Sequence, residues 1–292
     1  MNLRSSRILR ELGAGKRPTC FKLNLGDPRV IELCGLAGAS AVWICNEHVS
    51  NDWFNLENQV RAAKLYDVDT IVRVEKGSYS DYVKPFEADA TAIMVPHVQT
   101  AEEARHIVEM TRFYPLGRRA LDGGNPDGRY CQVPMAEYMA HSNSQRLLIF
   151  QIECPVALEN VESIAAVPGY DMLLFGPGDF SHLIGKAGQI NAPEVVAARK
   201  RVGAAAKKCG KVAMAPGMMA PRAVLEEEGY KVFTLGADVL ALGEYFKARG
   251  AAFEAASAPA STVSRAALSA DKPALRPDGR EVSRLARSSP TV

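Results

Sequence analysis

The sequence predicts an α/β protein, a closed (β/α)8 TIM barrel of parallel strands. Short apolar segments recur along the chain, and segments with helical periodicity separate them, a pattern typical of parallel sheets. Eight such units within about 250 residues match the size of this barrel. A doubly wound open sheet is the alternative, but Gly26-Asp27-Pro28 after the first strand is not the glycine-rich turn usual in that fold.

Each predicted strand is a short, mostly apolar run, as expected of a parallel strand buried on both faces. The helices are best marked at Thr100–Tyr114 and Pro193–Cys209. Thr100 and Glu103 have capping-box spacing, and Gly210 is a stop signal. The predicted strands are Cys20–Leu25, Ala41–Cys45, Thr70–Val74, Ala92–Val95, Leu147–Glu153, Asp171–Phe175, Lys211–Ala215 and Lys231–Leu235.

Two segments depart from this alternation. Gly117–Ser144 is a long connection rich in turn-forming residues, and it leads from a helix into a strand. That places it at the barrel end opposite the catalytic end, so we interpret it as a structural or subunit-contact segment. The last part of the chain is rich in Ala, Ser, Pro and Arg, which predicts a flexible tail. The predicted organisation is a barrel domain over residues 1–254 and a tail over residues 255–292.

Composition argues against several functional classes. The net charge of +2, with dispersed basic residues, gives no strong field for nucleic acid or an anionic membrane. No apolar run reaches membrane-spanning length, and the basic start Met1–Arg10 lacks the apolar core of a secretory signal. The six cysteines are dispersed without a Cys-x-x-Cys pair, which indicates reduced thiols in a cytoplasmic protein.

Two carboxylates stand at the ends of successive predicted strands. Glu153 ends the fifth strand, and Asp179 follows the sixth within Gly176-Pro177-Gly178-Asp179. The 26 residues that separate them fit one strand–helix–strand unit, so both side chains reach the same end of the sheet. Mg²⁺ and Mn²⁺ prefer a few carboxylate oxygens with positions left open for water and substrate. The sequence therefore predicts a divalent metal site at Glu153 and Asp179.

Further ionisable residues fall at the same end of the predicted barrel. Glu47 and His48 follow the second strand, and Arg73 lies near the end of the third. Each also has a structural interpretation, because His48 could be a hydrogen-bonded histidine and Arg73 could pair with a buried Glu153. Asp179 could cap a helix. The convergence of all of them on the catalytic end of a barrel favours a catalytic site.

These motifs, in this order, resemble the metal-dependent class II pyruvate aldolases of the 4-hydroxy-2-oxoheptanedioate aldolase type, over roughly Lys16 to Arg249. The resemblance implies a barrel assembled as a homo-oligomer, a trimer or a hexamer, with the last helix exchanged between neighbours. It implies Mg²⁺, Mn²⁺ or Co²⁺ as cofactor, and cleavage of a 4-hydroxy-2-oxo acid to pyruvate and an aldehyde. It rests on Glu47-His48, Ile71-Val72-Arg73, Val95-Pro96-His97-Val98-Gln99, Glu102-Glu103-Ala104-Arg105, Gln151-Ile152-Glu153 and Gly176-Pro177-Gly178-Asp179-Phe180-Ser181.

The resemblance also implies a role for each site residue. Glu153 and Asp179 resemble the metal ligands, Arg73 the arginine beside the keto oxygen, and His48 the catalytic histidine. The backbone around Gly178 and Asp179 would hold the pyruvate carboxylate. The substrate-binding residues implied in this way are Arg73, Gln151, Gly178 and Asp179.

The chain departs from the family pattern at Cys45-Asn46, at Glu87 and at Arg119-Ala120, where the family usually has Arg-Gly. The usual Asp-Gly-Glu-His after the second strand is Cys45-Asn46-Glu47-His48 here, and the acidic partner of the catalytic histidine, usually Asp, is Glu87. Two alternatives on the same scaffold are an oxaloacetate decarboxylase and a CoA-thioester lyase. A third, from another class, is a non-catalytic oligomeric binding protein in which Cys45 and Glu87 mark a decayed site.

Overall fold

A closed barrel of eight parallel strands forms the fold of the computed structural model, which describes residues 3–257. Each strand pairs with its neighbours in sequence order, and the eighth returns to the first, so the predicted fold class is confirmed. The predicted strand ends lie within two residues of the observed ones. The strands are β1 Thr19–Leu23, β2 Ala41–Cys45, β3 Asp69–Arg73, β4 Ala92–Val95, β5 Leu147–Ile152, β6 Met172–Phe175, β7 Val212–Pro216 and β8 Tyr230–Ala237.

Helices connect successive strands. Short 3-10 turns at Pro126–Gly128 and Gly217–Met219 complete the connections after the fourth and seventh strands. None of the helices within residues 3–257 is long and apolar enough to cross a membrane. The helices are α1 Arg7–Gly13, α2 Pro28–Leu36, α3 Trp53–Leu65, α4 Tyr79–Glu87, α5 Ala101–Thr111, α6 Met135–Gln145, α7 Pro155–Glu159, α8 Val161–Ala165, α9 Pro177–Leu183, α10 Pro193–Lys208, α11 Arg222–Glu227 and α12 Asp238–Ser257.

The segment Gly117–Ser144, predicted as a long connection, contains most of helix α6, which we did not predict. Few side chains on α6 are buried, chiefly Tyr138, so its apolar stripe is too weak to recognise in the sequence. Arg119 forms a buried ion pair with Asp127 at 2.9 Å, and the Tyr138 hydroxyl donates to Asp127 at 2.5 Å. These bonds explain how a turn-rich segment holds a fixed shape.

The barrel interior is filled by side chains that alternate with outward-facing ones along each strand. Outward residues such as Val42 and Val72 pack under the helices, in a separate and larger core cluster. Helix α1 closes the amino end, because Ile8 is fully buried in the interior cluster and its N–H donates to Asp69 at 2.9 Å. The interior cluster consists of Ile8, Cys20, Ala41, Trp43, Ile71, Ala92, Met94, Leu147, Ile149, Met172, Leu174, Met214 and Val232.

The chain divides into two compact units, Met1–Glu244 and Tyr245–Val292. The first unit holds the barrel. Within the second unit, the described residues are the last turns of helix α12, which extends to Ser257 and so passes the predicted tail boundary at residue 255. The rest of the predicted tail lies outside the described residues. The division at residues 254 and 255 and the exchange of the last helix both stay predictions.

Candidate active site

The carboxyl ends of β2, β3, β5 and β6 bring together the ionisable residues of the barrel mouth. Strand register aligns Cys45 with Arg73 on neighbouring strands, and Arg73 Nε lies 2.9 Å from Glu47 Oε2. Glu153 follows directly after β5, and its carboxyl group interacts electrostatically with both Asp179 and Glu47. One charged cluster therefore spans two sides of the mouth, as the strand-end argument predicted.

Glu153 is the most deeply buried acid of this cluster, with 1% of its side chain exposed. The pKa of Glu153 is raised to about 8, chiefly by burial, and the nearby carboxyl groups of Asp179 and Glu47 contribute to that rise. A hydrogen bond from the backbone N–H of His97, at 2.8 Å, acts in the opposite direction. A second hydrogen bond comes from Gln151 Nε2. Without a cation, the fold therefore favours the protonated form of Glu153.

Glycine at position 176 makes room for this arrangement. A Cβ atom there would lie 2.8 Å from Glu153 Cβ and 3.0 Å from Gln151 Nε2, which is too close for both. Gly178, in the first turn of α9, is different, because no described heavy atom other than its chain neighbours and the backbone of its own helix lies within 4 Å of its Cβ position. The backbone at Gly178 therefore borders open space beside Asp179, where the sequence predicted a substrate carboxylate.

The chemistry of the site fits a divalent cation. Two neighbouring carboxyl groups are acceptable ligands for a hard cation, and a cation would offset the burial of Glu153. The Oε1 atom of Gln151 is also buried and has no hydrogen-bond partner. No three His, Cys, Asp or Glu side chains among residues 3–257 converge closely enough to form a complete metal site. Water and substrate would therefore supply the remaining ligands, as is usual for Mg²⁺.

Arg73 is held rigidly in the mouth, with 4% of the residue exposed. Its guanidinium carbon lies 4.8 Å from the centroid of the Trp43 ring, and one NH2 group donates to Cys45 Sγ at 3.0 Å. The 2.9 Å ion pair with Glu47 lacks hydrogen-bond geometry, so Arg73 Nε and Glu47 Oε2 are both buried without a hydrogen-bond partner.

The structure places the two predicted catalytic partners apart. His48 is 55% exposed at the carboxyl end of the barrel, with Nε2 3.6 Å from Glu47 Oε2. Glu87 is the last residue of α4, which begins at the carboxyl end and finishes at the amino end. Burial raises the pKa of Glu87, with Arg119 opposing and Asp127 adding to the shift. Within one chain, the described residues therefore include no His48–Glu87 pair.

The sequence interpretation gave no role to His97, although it lies between the carboxyl groups. Its Nδ1 is 3.4 Å from Glu153 Oε1 and its Nε2 is 3.8 Å from Glu47 Oε1. The backbone of His97 is left-handed, with φ of 52°, and its carbonyl accepts from Lys76 Nζ at 2.6 Å. A non-glycine residue keeps this conformation only where its surroundings impose it. The signal available in the sequence was its position just after β4.

A second missed residue is Lys22, which lies on β1 beside Trp43 with its ammonium nitrogen 5.6 Å from the ring centroid. A lysine inside an otherwise largely apolar predicted strand was the available signal, but our survey of strand ends passed over it. The mouth therefore contains two positively charged side chains near one indole ring, Lys22 and Arg73.

Proteins of similar sequence are aldolases. The 5-keto-4-deoxy-D-glucarate aldolase of Klebsiella pneumoniae is 34% identical over 197 residues, covering 68% of this chain and 75% of that protein. The hydroxypyruvate/pyruvate aldolase of Pseudomonas aeruginosa is 32% identical over 199 residues, covering 68% of this chain and 74% of that protein. These relatives differ in substrate, so they do not identify this chain as a 4-hydroxy-2-oxoheptanedioate aldolase in particular.

Solved structures resemble this barrel closely. A citrate synthase, SbnG, is 27% identical with a TM-score of 0.78, and the match covers 87% of this chain and 98% of that one. A family protein from Burkholderia cenocepacia J2315 is 30% identical with a TM-score of 0.77, covering 86% and 99%. Residues 19–242 match the family model described as HpcH/HpaI aldolase/citrate lyase. The chain therefore belongs to the HpcH/HpaI aldolase/citrate lyase family.

Proposed function

We propose that this protein is a divalent-metal-dependent aldolase, a lyase that cleaves a 4-hydroxy-2-oxo acid to pyruvate and an aldehyde and catalyses the reverse addition. The observation that carries the proposal is the buried Glu153 next to Asp179, with Arg73 at the same mouth. A carboxyl group that is almost fully removed from water is costly unless it is protonated, paired or bound to a cation. Aldolases among the relatives support the same reaction class.

Each site residue has a part in this reaction. A cation held by Glu153 and Asp179 would supply Lewis acidity toward a keto oxygen. Arg73 donates to the oxygen on which negative charge develops, and the backbone at Gly178 binds the substrate carboxylate. Gln151 positions Glu153 through its hydrogen bond, and its own Oε1 is buried without a hydrogen-bond partner.

His48 is the proposed base that removes the proton from the C4 hydroxyl. The C3–C4 bond then breaks and the aldehyde leaves. The electron pair of the broken bond stays with C3 and forms the enolate of pyruvate, which is then protonated at C3. Base assistance of this kind contributes about 10²–10⁴-fold. Because Glu87 and His48 lie at opposite barrel ends, their pairing requires Glu87 from a second chain.

A homo-oligomer, a trimer or hexamer, is therefore part of the proposal. Helix α12 exposes several large apolar side chains, an arrangement that is unfavourable in water unless another surface covers it. The exposed set on this helix includes Val239, Leu240, Leu242, Tyr245 and Phe246.

The test is pyruvate release from a panel of 4-hydroxy-2-oxo acids, measured by coupled reduction to lactate. Protein stripped by a chelator should be inactive, and Mg²⁺, Mn²⁺ or Co²⁺ should restore turnover. Glu153→Gln and Asp179→Asn should not respond to added metal. Activity that survives thorough chelation would contradict the proposal.

A separate measurement distinguishes the alternatives. Metal-dependent exchange of the pyruvate methyl protons with deuterium requires enolate chemistry, and a decayed binding protein should show none. Oxaloacetate should also be assayed, because its decarboxylation passes through the same enolate. Turnover of oxaloacetate without any aldol cleavage would favour the decarboxylase alternative.

A further inference from the structure

Lys76 and His97 stand in the loops that follow two paired strands at the carboxyl end of the barrel. Lys76 follows β3, which ends at Arg73, and His97 follows β4, which ends at Val95. The Lys76 ammonium donates to the His97 carbonyl oxygen at 2.6 Å. It also forms an ion pair with Glu103 Oε1, in the first turn of α5, at 2.6 Å. One ammonium therefore joins both loops to the start of the next helix.

The carboxylate of Glu103 holds the loop after β4 at a second point. Its Oε2 atom accepts from the backbone N–H of Gln99 at 2.9 Å, while Oε1 faces Lys76. The hydroxyl of Thr100 accepts from the N–H of Glu103 at 3.1 Å and caps α5, so the Glu103 side chain starts from a fixed turn. Both ends of residues 97–99 are thus fastened to one ion pair.

The conformation of His97 explains why this fastening matters for the site. His97 has a φ of 52°, in the left-handed region that residues other than glycine keep only where their surroundings impose it. In this conformation its N–H donates to Glu153 Oε1 at 2.8 Å. The φ and ψ of His97 set the angle between the peptide that carries this N–H and the peptide that carries the carbonyl. A carbonyl held by Lys76 therefore restrains the direction of the N–H.

An ordinary surface ion pair would leave the metal site unaffected. The side chains of Lys76 and Glu103 are 36% and 24% exposed, so their attraction contributes little to overall stability. The sign of the effect on metal binding separates positioning from charge. A positive charge near the site repels a cation, so loss of Lys76 would tighten metal binding if the electrostatic field alone mattered. Loss of a positioning contact would weaken it.

We propose that Lys76 is a positioning residue, which holds the backbone of His97 so that its N–H keeps Glu153 oriented toward the cation. This role rests on the metal site of the proposed function and extends that site to a residue outside its ligands. Lys76 acts through the His97 peptide, and Glu103 supports it by binding both Lys76 and the N–H of Gln99.

The first test measures Mn²⁺ affinity from the electron paramagnetic resonance signal of the free ion. Lys76→Met should raise the dissociation constant about three- to tenfold, the range expected for one partly exposed hydrogen bond. Lys76→Arg keeps the charge and the donors, so it should restore most of the affinity. Arg201→Met is the matched control and should leave the affinity unchanged, because it removes an exposed 2.8 Å ion pair with Glu162 on the outer helices. Glu103→Gln serves as the second variant if Lys76→Met folds poorly.

A double-mutant cycle tests whether Lys76 acts through the conformation of His97. Asparagine adopts the left-handed backbone more readily than histidine and most other residues do. In a His97→Asn background, Lys76→Met should therefore weaken Mn²⁺ binding less than it does in the wild-type protein. An equal loss in both backgrounds would overturn the proposal, and so would tighter Mn²⁺ binding by Lys76→Met.

Amide hydrogen exchange of the metal-free protein, followed by mass spectrometry, reports the same loop without catalysis. Peptides that cover residues 96–99 should exchange faster in Lys76→Met than in the wild-type protein, because the His97 N–H loses its fixed acceptor. Peptides from α10 should exchange at the same rate in both, which shows that the variant is folded. Equal exchange of residues 96–99 in the two proteins would contradict the positioning role.

These measurements distinguish failure of the positioning role from failure of the aldolase function. Faster loop exchange and weaker Mn²⁺ binding in Lys76→Met, without carbon–carbon chemistry in the wild-type protein, would reject the aldolase function and keep the positioning role. Aldol turnover by the wild-type protein, with Mn²⁺ affinity and loop exchange unchanged in Lys76→Met, would do the reverse. A wild-type protein that binds no Mn²⁺ would overturn both.

Discussion

Metal binding at this site should compete with a proton on Glu153. The pKa of Glu153 is raised to about 8 by burial, so at neutral pH a cation must displace a proton before the carboxylate can bind it. Below about pH 8, each unit of acidification should weaken the apparent affinity about tenfold, or about 1.4 kcal/mol. Binding at pH 6 should therefore be about a hundredfold weaker than its limit, and the affinity should level off above pH 8.

Calorimetric titration of chelator-treated protein with Mg²⁺ across this range measures the effect directly. Heats in two buffers with different ionisation enthalpies give the number of protons released, which should fall from about one to none as the pH passes through 8. Glu153→Gln is the control, because it lacks the titrating group and should bind weakly with little pH dependence from this position. A wild-type affinity that stays level between pH 6 and 8 would refute the burial argument.

Four further predictions follow from the same contacts. The unfolding free energy of the metal-free protein should fall as pH rises from about 4.5 to 8, because the native state holds the Glu153 proton more tightly. Chemical denaturation at several pH values measures this, and Glu153→Gln should remove the slope. Gly176→Ala should cost about 1–3 kcal/mol of stability and weaken metal binding, because its Cβ meets Glu153, whereas Gly178→Ala should fold normally and raise KM for the keto acid. Arg73→Lys should lower kcat about 10²–10³-fold in steady-state assays, and near-normal turnover would remove Arg73 from the site. Glu87→Gln and His48→Ala should each be weakly active, and refolding the two variants together should restore activity above their average if the pair forms between chains.

The fold was predictable because parallel strands buried on both faces appear in the sequence as short, continuous apolar runs. The runs at Ala41–Cys45 and Ala92–Val95 were predicted with the observed bounds, since every residue in them is apolar and buried. The proximity of Glu153 to Asp179 was predictable for a related reason. A carboxylate directly after such a run, as at Glu153, must lie at the strand end, and the connectivity of a parallel sheet brings Asp179 to the same edge.

Contacts that depend on the curvature of the closed ring were not predictable. The backbone N–H of His97 donates to Glu153 from a left-handed backbone conformation. A histidine at this position does not predict that conformation. Lys22 appeared as an isolated charge, because its proximity to Trp43 follows from the pairing register of β1 and β2. The pairing of Glu87 with His48 stays a prediction, because the resemblance supplied two residues without saying which chain carries each.

The departure at Cys45 and the presence of Lys22 act on the electrostatics of the mouth in the same direction. The aldolase pattern that the sequence resembles has an aspartate where this chain has Cys45, and the Arg73 guanidinium here donates to the Cys45 sulfur. Glu47 is therefore the carboxylate recorded in ion-pair contact with Arg73 among the described residues. A thiol in place of an acid, together with the ammonium of Lys22, raises the electrostatic potential of the mouth. A departure that makes the mouth more attractive to anions is easier to reconcile with a changed substrate charge than with the decay of an unused site.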